Sequence, residues 1–384
     1  MLTGFFDGLG SFGLYSFAFL SVLTVVVFIH ELGHFLVARW CGVRVTTFSI
    51  GFGREVWGFN DRYGTRWRLA WIPLGGYVKF MDDENAASVP SREAAAVLTP
   101  EERAGAFHAK PIWQRAAVVA AGPLANFLLA IMVFAISFML FGVRSTAPRV
   151  DEVIVGSPAA AAGFQPGDVI VSIDGRAIRS FNDVLRTVTT GGGRPLAVVV
   201  TRKGQAVDLK VTPQLDEAKD DLGGTQSVWR VGIRQRSTPD QVTEERVGPV
   251  TAIGLGIKET SFIITSTLSY LGDVVTLRQR ADQLGGPVRI ADVAGKVAQR
   301  SVLDLVYLAA FISVSVGLVN LFPIPLLDGG HLMFYAIEAV RGRPLSERSQ
   351  ELSFRIGMAV VLTIMMFSMF NDLPILKRWL IGVG

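Results

Sequence analysis

Four apolar stretches punctuate the chain, at about residues 14–38, 116–141, 305–322 and 356–369. The hydrocarbon core of a bilayer takes roughly 20 helical residues to cross, so each stretch predicts a membrane span. The first has no Lys or Arg ahead of Arg39 and no A-x-A pattern after it, which marks a retained span rather than a signal peptide. Between the spans the period changes. Residues 43–50 are β-branched and aromatic, Gly51-Phe52-Gly53 interrupts them, and residues 60–64 read as a turn. Residues 65–71 then set Trp67, Leu69 and Trp71 on one face against Arg66 and Arg68 on the other. That alternation predicts strands, and a sheet bearing tryptophans suits a membrane interface. Residues 82–110 are polar, alanine-rich and aperiodic, and read as a loop with short helices.

Residues 149–212 predict a compact α+β domain outside the membrane. A short helix ends at Gly163, a Gln165-Pro166-Gly167-Asp168 turn leads into an apolar strand, and Asp174-Gly175 turns again. A helix over 181–188 and strands over 196–201 and 206–211 follow. Residues 228–234 alternate like one strand, and 253–275 read as an amphipathic helix rather than a fifth span, because Lys258 and Glu259 interrupt it. The expected divisions are therefore 1–42 (first span), 43–112 (β-unit and loop), 113–143 (second span), 149–212 (compact domain), 213–302 (strands and amphipathic helix), 303–345 (third span) and 355–379 (fourth span). The fold class is a polytopic α-helical membrane protein with about four spans, a membrane-associated β-sheet and one extracytoplasmic α+β domain.

Composition agrees with this. Half of the 384 residues are hydrophobic, mean hydropathy is +0.41, and 18% are charged, against about 25% in ordinary globular chains. The single cysteine, Cys41, excludes an internal disulfide and a four-cysteine metal site. A net charge of +4 without a dense basic cluster argues against nucleic-acid binding. Arg39, Arg44, Arg54, Arg62, Arg66, Arg68 and Lys79 follow the first span, and Arg341, Arg343, Arg348 and Arg355 lie between the last two. By the positive-inside rule both segments face the cytoplasm, with the termini and 144–302 outside. Lys377 and Arg378 fall on the opposite side from the rule.

The chemistry concentrates in His30-Glu31-Leu32-Gly33-His34. Histidines at i and i+4 share a helix face. Two such imidazoles with an intervening glutamate form the zinc-hydrolase signature, in which Glu31 is the general base. Ionisable residues inside a span cost about 2.5–3.5 kcal/mol and are functional by default. Catalytic zinc takes three protein ligands, so a third is needed. The segment Asn320-Leu321-Phe322-Pro323-Ile324-Pro325-Leu326-Leu327-Asp328-Gly329-Gly330-His331 offers both Asp328 and His331, and chemistry alone leaves them open. Helix capping is the plainer reading of Asp328.

These elements together resemble the site-2 protease family of intramembrane zinc metalloproteases, in its regulator of sigma-E protease branch. The likeness rests on HExxH in a first span, Gly122-Pro123-Leu124-Ala125-Asn126-Phe127 in a second, Leu74-Gly75-Gly76-Tyr77-Val78-Lys79, Gly285-Gly286-Pro287-Val288 and the NxxPxPxLDGG segment. It also rests on the pattern from Gly163 to Gly175, which resembles a PDZ domain. The resemblance implies Zn²⁺ held by His30, His34 and Asp328, Glu31 as base, and Asn320 near the substrate. It implies a multi-pass bacterial inner-membrane enzyme, its PDZ-like domain periplasmic. Its substrates would be single-span membrane proteins such as an anti-sigma factor, or signal-peptide remnants, cut in regulated intramembrane proteolysis. The best-known member carries two tandem PDZ domains, and this sequence shows one.

A membrane-spanning helix hides its carbonyls in its own hydrogen bonds, so a substrate must be drawn out. Strand addition along the 43–81 unit would do so, with Gly51, Phe52, Gly53 and Pro323 as candidate contacts. Anchoring at the interface is the alternative role for that sheet. The PDZ-like domain reads equally as a binder of peptide ends or as a size filter. The competing functions are a PDZ scaffold with a structural metal and a metal transporter, neither of which needs a base beside the metal.

Overall fold

The computed structural model describes residues 2–82, 99–219, 225–236, 242–279, 281 and 284–381. Residues 83–98, within the segment read as a loop, lie outside them. The principal elements are α1 (Leu2–Trp40), β1 (Val45–Asn60), β2 (Arg66–Phe80) and α2 (Ile112–Phe141). Next come β3 (Val169–Ile173), α3 (Phe181–Thr190), β4 (Leu196–Arg202), β5 (Gln205–Val211) and α4 (Pro249–Val275). The chain ends with α5 (Pro287–Arg300), α6 (Val302–Asn320), α7 (Asp328–Arg341) and α8 (Glu347–Ile381). Four stretches are long and apolar enough to cross a membrane: Gly13–Trp40, Ile112–Phe141, Val302–Asn320 and Arg348–Lys377. Contacts divide the chain into two units, Met1–Val133 with Gly285–Gly384, and Phe134–Leu284.

In the first unit β1 and β2 double back on each other. Residues 45–50 pair with 76–80 in falling order (Phe48↔Val78, Ile50↔Gly76). Residues 47–50 also lie beside 66–69 with both numbers rising (Phe48↔Trp67, Ile50↔Leu69), and 66–69 pair outward with 57–60. The stretch 47–50 is therefore flanked on both sides, and 76–80 forms an edge. Gly51 and Gly53 adopt φ of +87° and +88°, which lets β1 turn between its two pairings without a side-chain clash. Phe48 is wholly buried. It stacks on Trp67 at 4.3 Å and meets Phe35 and Phe28 of α1 edge-on at 5.5 and 5.8 Å. Trp67, placed by its alternation on an interface-facing side, packs into this cluster, while Trp71 stays exposed. The register shifts along β1 and β2 break the simple two-face rule between residues 67 and 71.

Helix α5 was not separable in the sequence from its surroundings. It packs along α1, where Gly295 lies so close to the Tyr15 ring that an added Cβ would overlap it. Its N-terminus has no side-chain cap of its own. Asp372 of α8, 1% exposed, accepts there from the backbone N–H groups of Gly286, Val288 and Arg289 at 3.0, 3.0 and 3.1 Å. These amides are the orphan donors of any helix start.

In the second unit a four-stranded antiparallel sheet runs in the order Arg176–Ala177, β3, β4, β5. Ile170, Leu196, Val200 and Val150 are completely buried in its core. Asp168 is buried too and accepts from Arg202 Nε and Nη2, both at 2.8 Å, and from the Gln165 amide at 2.9 Å. Burial alone raises this carboxyl, but the Arg202 and Gln165 hydrogen bonds outweigh it and hold it below the usual carboxylate range. The stretch expected as one strand over 228–234 is two, Thr225–Arg230 and Ile233–Arg234, with different partners. Gly232, at φ +85°, redirects the chain between them. Helix α4 buries Ala252, Gly256, Thr260 and Ile263 and leaves Val250, Ile253, Ile257 and Leu268 exposed. Lys258 pairs with Asp183 of α3 at 3.1 Å, and Glu259 pairs with Arg186.

Candidate metal centre

The 3.6-residue period of α1 aims His30 and His34 the same way, and their Nε2 atoms stand 3.2 Å apart. Asp328, the first residue of α7, faces both, with Oδ2 3.1 Å from His30 Nε2 and Oδ1 3.6 Å from His34 Nε2. One ligand atom from each of the three residues lies within 4.8 Å of the others. Bonds of about 2.0–2.1 Å in a tetrahedral zinc site separate ligand atoms by about 3.3–3.4 Å, so the triangle fits. Its electronics fit as well. Asp328 Oδ2 is buried without an assigned hydrogen bond. Its approach to His30 is a hydrogen bond only if that Nε2 carries a proton. Without protons, three lone pairs converge and call for a cation. Asp328 does not cap its helix: Leu327 is the N-cap, and no side chain bonds there.

Neighbouring helices hold this triangle. His34 Nδ1 donates to the Val118 carbonyl at 2.9 Å, which leaves Nε2 as its free lone pair. Pro123, inside α2, removes one rung of the helix ladder near that carbonyl. Gly122 is required by contact: a Cβ there would lie 2.3 Å from His34 Nε2. His30 Nδ1 faces the side-chain amide of Asn126 at 3.2 Å. Helix α7 is gripped through Glu338, which takes two bonds from Arg115 of α2 at 2.7 and 3.2 Å. Pro323 and Pro325 keep residues 321–327 out of a helix, and Gly329 and Gly330 let α7 start against the carbonyls this break exposes.

A cavity of about 240 Å³ opens beside the triangle, lined among others by Glu31, Gly76, Val78, Asn320, Asp328 and His331. Val78 lines the cavity beside Glu31. Gly76 leaves room for it, since a Cβ there would stand 3.0 Å from Glu31 Cγ. The edge of the sheet is thus laid against the glutamate. Asn320 reaches the cavity wall, whereas Pro323 acts through the broken segment and is not in the lining. Gly51, Phe52 and Gly53 are also outside the lining; Phe52 is exposed and stacks on Tyr77 at 6.1 Å. His331 stands outside the ligand triangle, its ring 5.7 Å from Phe354.

Four participants carried no assigned role in the sequence: Gly76, Val78, Gly122 and Asn126. All lie in motifs that looked distinctive, but their work depends on distances between elements far apart in the chain. The buried amide of Asn126 on an apolar span was the one available signal.

The profile of Peptidase family M50 matches residues 18–364. A protein of Agrobacterium fabrum whose name proposes a zinc metalloprotease, Atu1380, is 47% identical over 371 residues, covering 97% of this chain and 97% of its own. The regulator of sigma-E protease RseP of Salmonella typhimurium is 32% identical across 92% of this chain and 97% of its own. That alignment, 450 residues long, exceeds this chain, so the relative holds residues without a counterpart here. A solved PDZ domain, from an SdrC-like protein of Listeria monocytogenes, aligns with 24% of this chain and 88% of its own at 22% identity and a TM-score of 0.19. With a family match over most of its length and relatives this similar across it, the chain belongs to Peptidase family M50 and is a metalloprotease.

Proposed function

We propose that this metalloprotease cuts single-span membrane proteins inside or at the edge of the bilayer, with His30, His34 and Asp328 holding zinc. The observation that carries the reading is the triangle of three ligand atoms that the apolar α1 and the start of α7 bring together, with Glu31 in the adjoining cavity. Zinc, when bound, supplies a Lewis acid that acidifies a water and polarises the scissile carbonyl. Glu31 takes the proton of the attacking water and passes it to the leaving amide nitrogen. The backbone at Gly76, close against Glu31 Cγ, confines the glutamate beside the cavity for both transfers.

The substrate must arrive extended, because helical carbonyls are already bonded. The 76–80 edge, next to the catalytic glutamate, supports pairing with such a segment, and Asn320 lines the same space. Gly51 and Gly53 serve this edge from behind, by shaping β1. The expected substrates are an anti-sigma factor or a signal-peptide remnant, in a bacterial inner membrane with the PDZ-like domain on the periplasmic side. In proteoliposomes with a single-span substrate, Glu31→Gln should retain zinc and lower cleavage by roughly 10²–10⁴-fold. Unchanged cleavage would remove Glu31 from the chemistry.

A further inference from the structure

We propose that Asn126 is the positioning residue that selects the metal-binding tautomer of His30, its side-chain oxygen accepting from Nδ1–H. This rests on the metal site proposed above. A ring nitrogen ligates metal only without a proton, and what the other nitrogen bonds to decides which one is bare. For His34 the matter is fixed, since the Val118 carbonyl can only accept. His30 has one group near Nδ1 among the described residues, the Asn126 amide at 3.2 Å.

An amide can face the ring with either end. In the structure its nitrogen does so. That arrangement puts the imidazole proton on Nε2, where it points to Asp328 Oδ2 at 3.1 Å. It is a consistent metal-free state, and it leaves the Asn126 oxygen buried with no donor. A half-turn of the amide reverses the pattern: the oxygen accepts from Nδ1–H, Nε2 becomes bare, and the nitrogen takes the place the oxygen vacates. No helix has to move. The residue is held for this purpose. Asn126 is wholly buried, its backbone carbonyl accepts from Ser313 Oγ at 2.9 Å, and Gly317 lets α6 approach to where a Cβ would stand 3.3 Å from Asn126 Cβ.

The test compares Asn126→Leu, similar in size with no acceptor, and Asn126→Asp, which can only accept. Zinc content of the purified full chain is measured across a series of chelator concentrations. Asn126→Leu should bind zinc about 10–100-fold more weakly, while Asn126→Asp should bind at least as well as the unaltered protein. Loss of zinc in both variants would overturn the proposal, because an acceptor would not have sufficed. Retention in the Leu variant would overturn it as well. If the Leu variant fails to insert, the Asp variant decides alone: zinc kept supports the oxygen as partner, zinc lost refutes it. An unaltered protein that binds no zinc would defeat the metal site itself, a result distinct from either variant's failure.

Discussion

One methyl group at residue 122 should separate a loaded site from an empty one. The Cβ of Gly122→Ala would lie 2.3 Å from His34 Nε2, and both groups sit on packed helices that cannot part easily. The expected outcome is a fall in zinc affinity of at least tenfold, on the scale seen when metal-site supports are lost, with membrane insertion intact. Metal analysis of purified protein checks it, and full zinc retention would show that His34 turns aside freely. At this scale the sequence was legible where chemistry is written in spacing. His30 and His34 stand one helical turn apart with Glu31 between them, and Asp328 is an acid amid apolar residues after two prolines. Gly122 was not legible, because a glycine in an apolar helix has many reasons to exist. Its reason here is a histidine 88 positions away, seen only once α1 and α2 are packed.

At the scale of elements, strands were visible in the alternation of residues 65–71, but their order was not. Pairing of 47–50 with 66–69 is a contact across the whole hairpin, and no local period announces it. The order decides where a substrate can add. Residues 47–50 are occupied on both sides, so a proline at Phe48 would break the core and say nothing about substrate. Val78 gives the sharper test. It lies on the 76–80 edge strand and lines the cavity with Glu31, so Val78→Pro removes a backbone donor at that edge. Zinc content should persist. Cleavage of a fully helical span should fall by more than cleavage of a span that already carries helix-breaking residues. Equal losses on the two substrates would mean that the edge at Val78 does not pair with substrate.

For the molecule as a whole, the number of candidate spans followed from hydropathy, since about 20 apolar residues have few uses besides crossing lipid. The division into two units did not, because α5 is polar on one side and begins at a Gly-Gly-Pro that reads as a loop. The units should differ in acid. Asp168 in the second unit has a folded pKa below its unfolded value of about 3.9. Its stabilisation is therefore present above that value and fades as pH falls through the folded one. Thermal unfolding of the full chain followed from pH 7 to pH 3 should show the transition of residues 134–284 falling below about pH 4. Asp168→Asn should lower that transition at pH 7, by roughly 1–3 kcal/mol for lost charged hydrogen bonds, and flatten its acid slope. An unchanged slope would assign the acid sensitivity elsewhere.

The clasp of Asp372 on the start of α5 has a use outside energetics. It ties three backbone amides to a carboxylate that arrives more than 80 residues later in the chain. Those N–H groups exchange with solvent deuterium only when the clasp opens. Gly286, Val288 and Arg289 therefore act as a built-in timer, and the rate at which they pick up deuterium records how often α8 lets go of its neighbour.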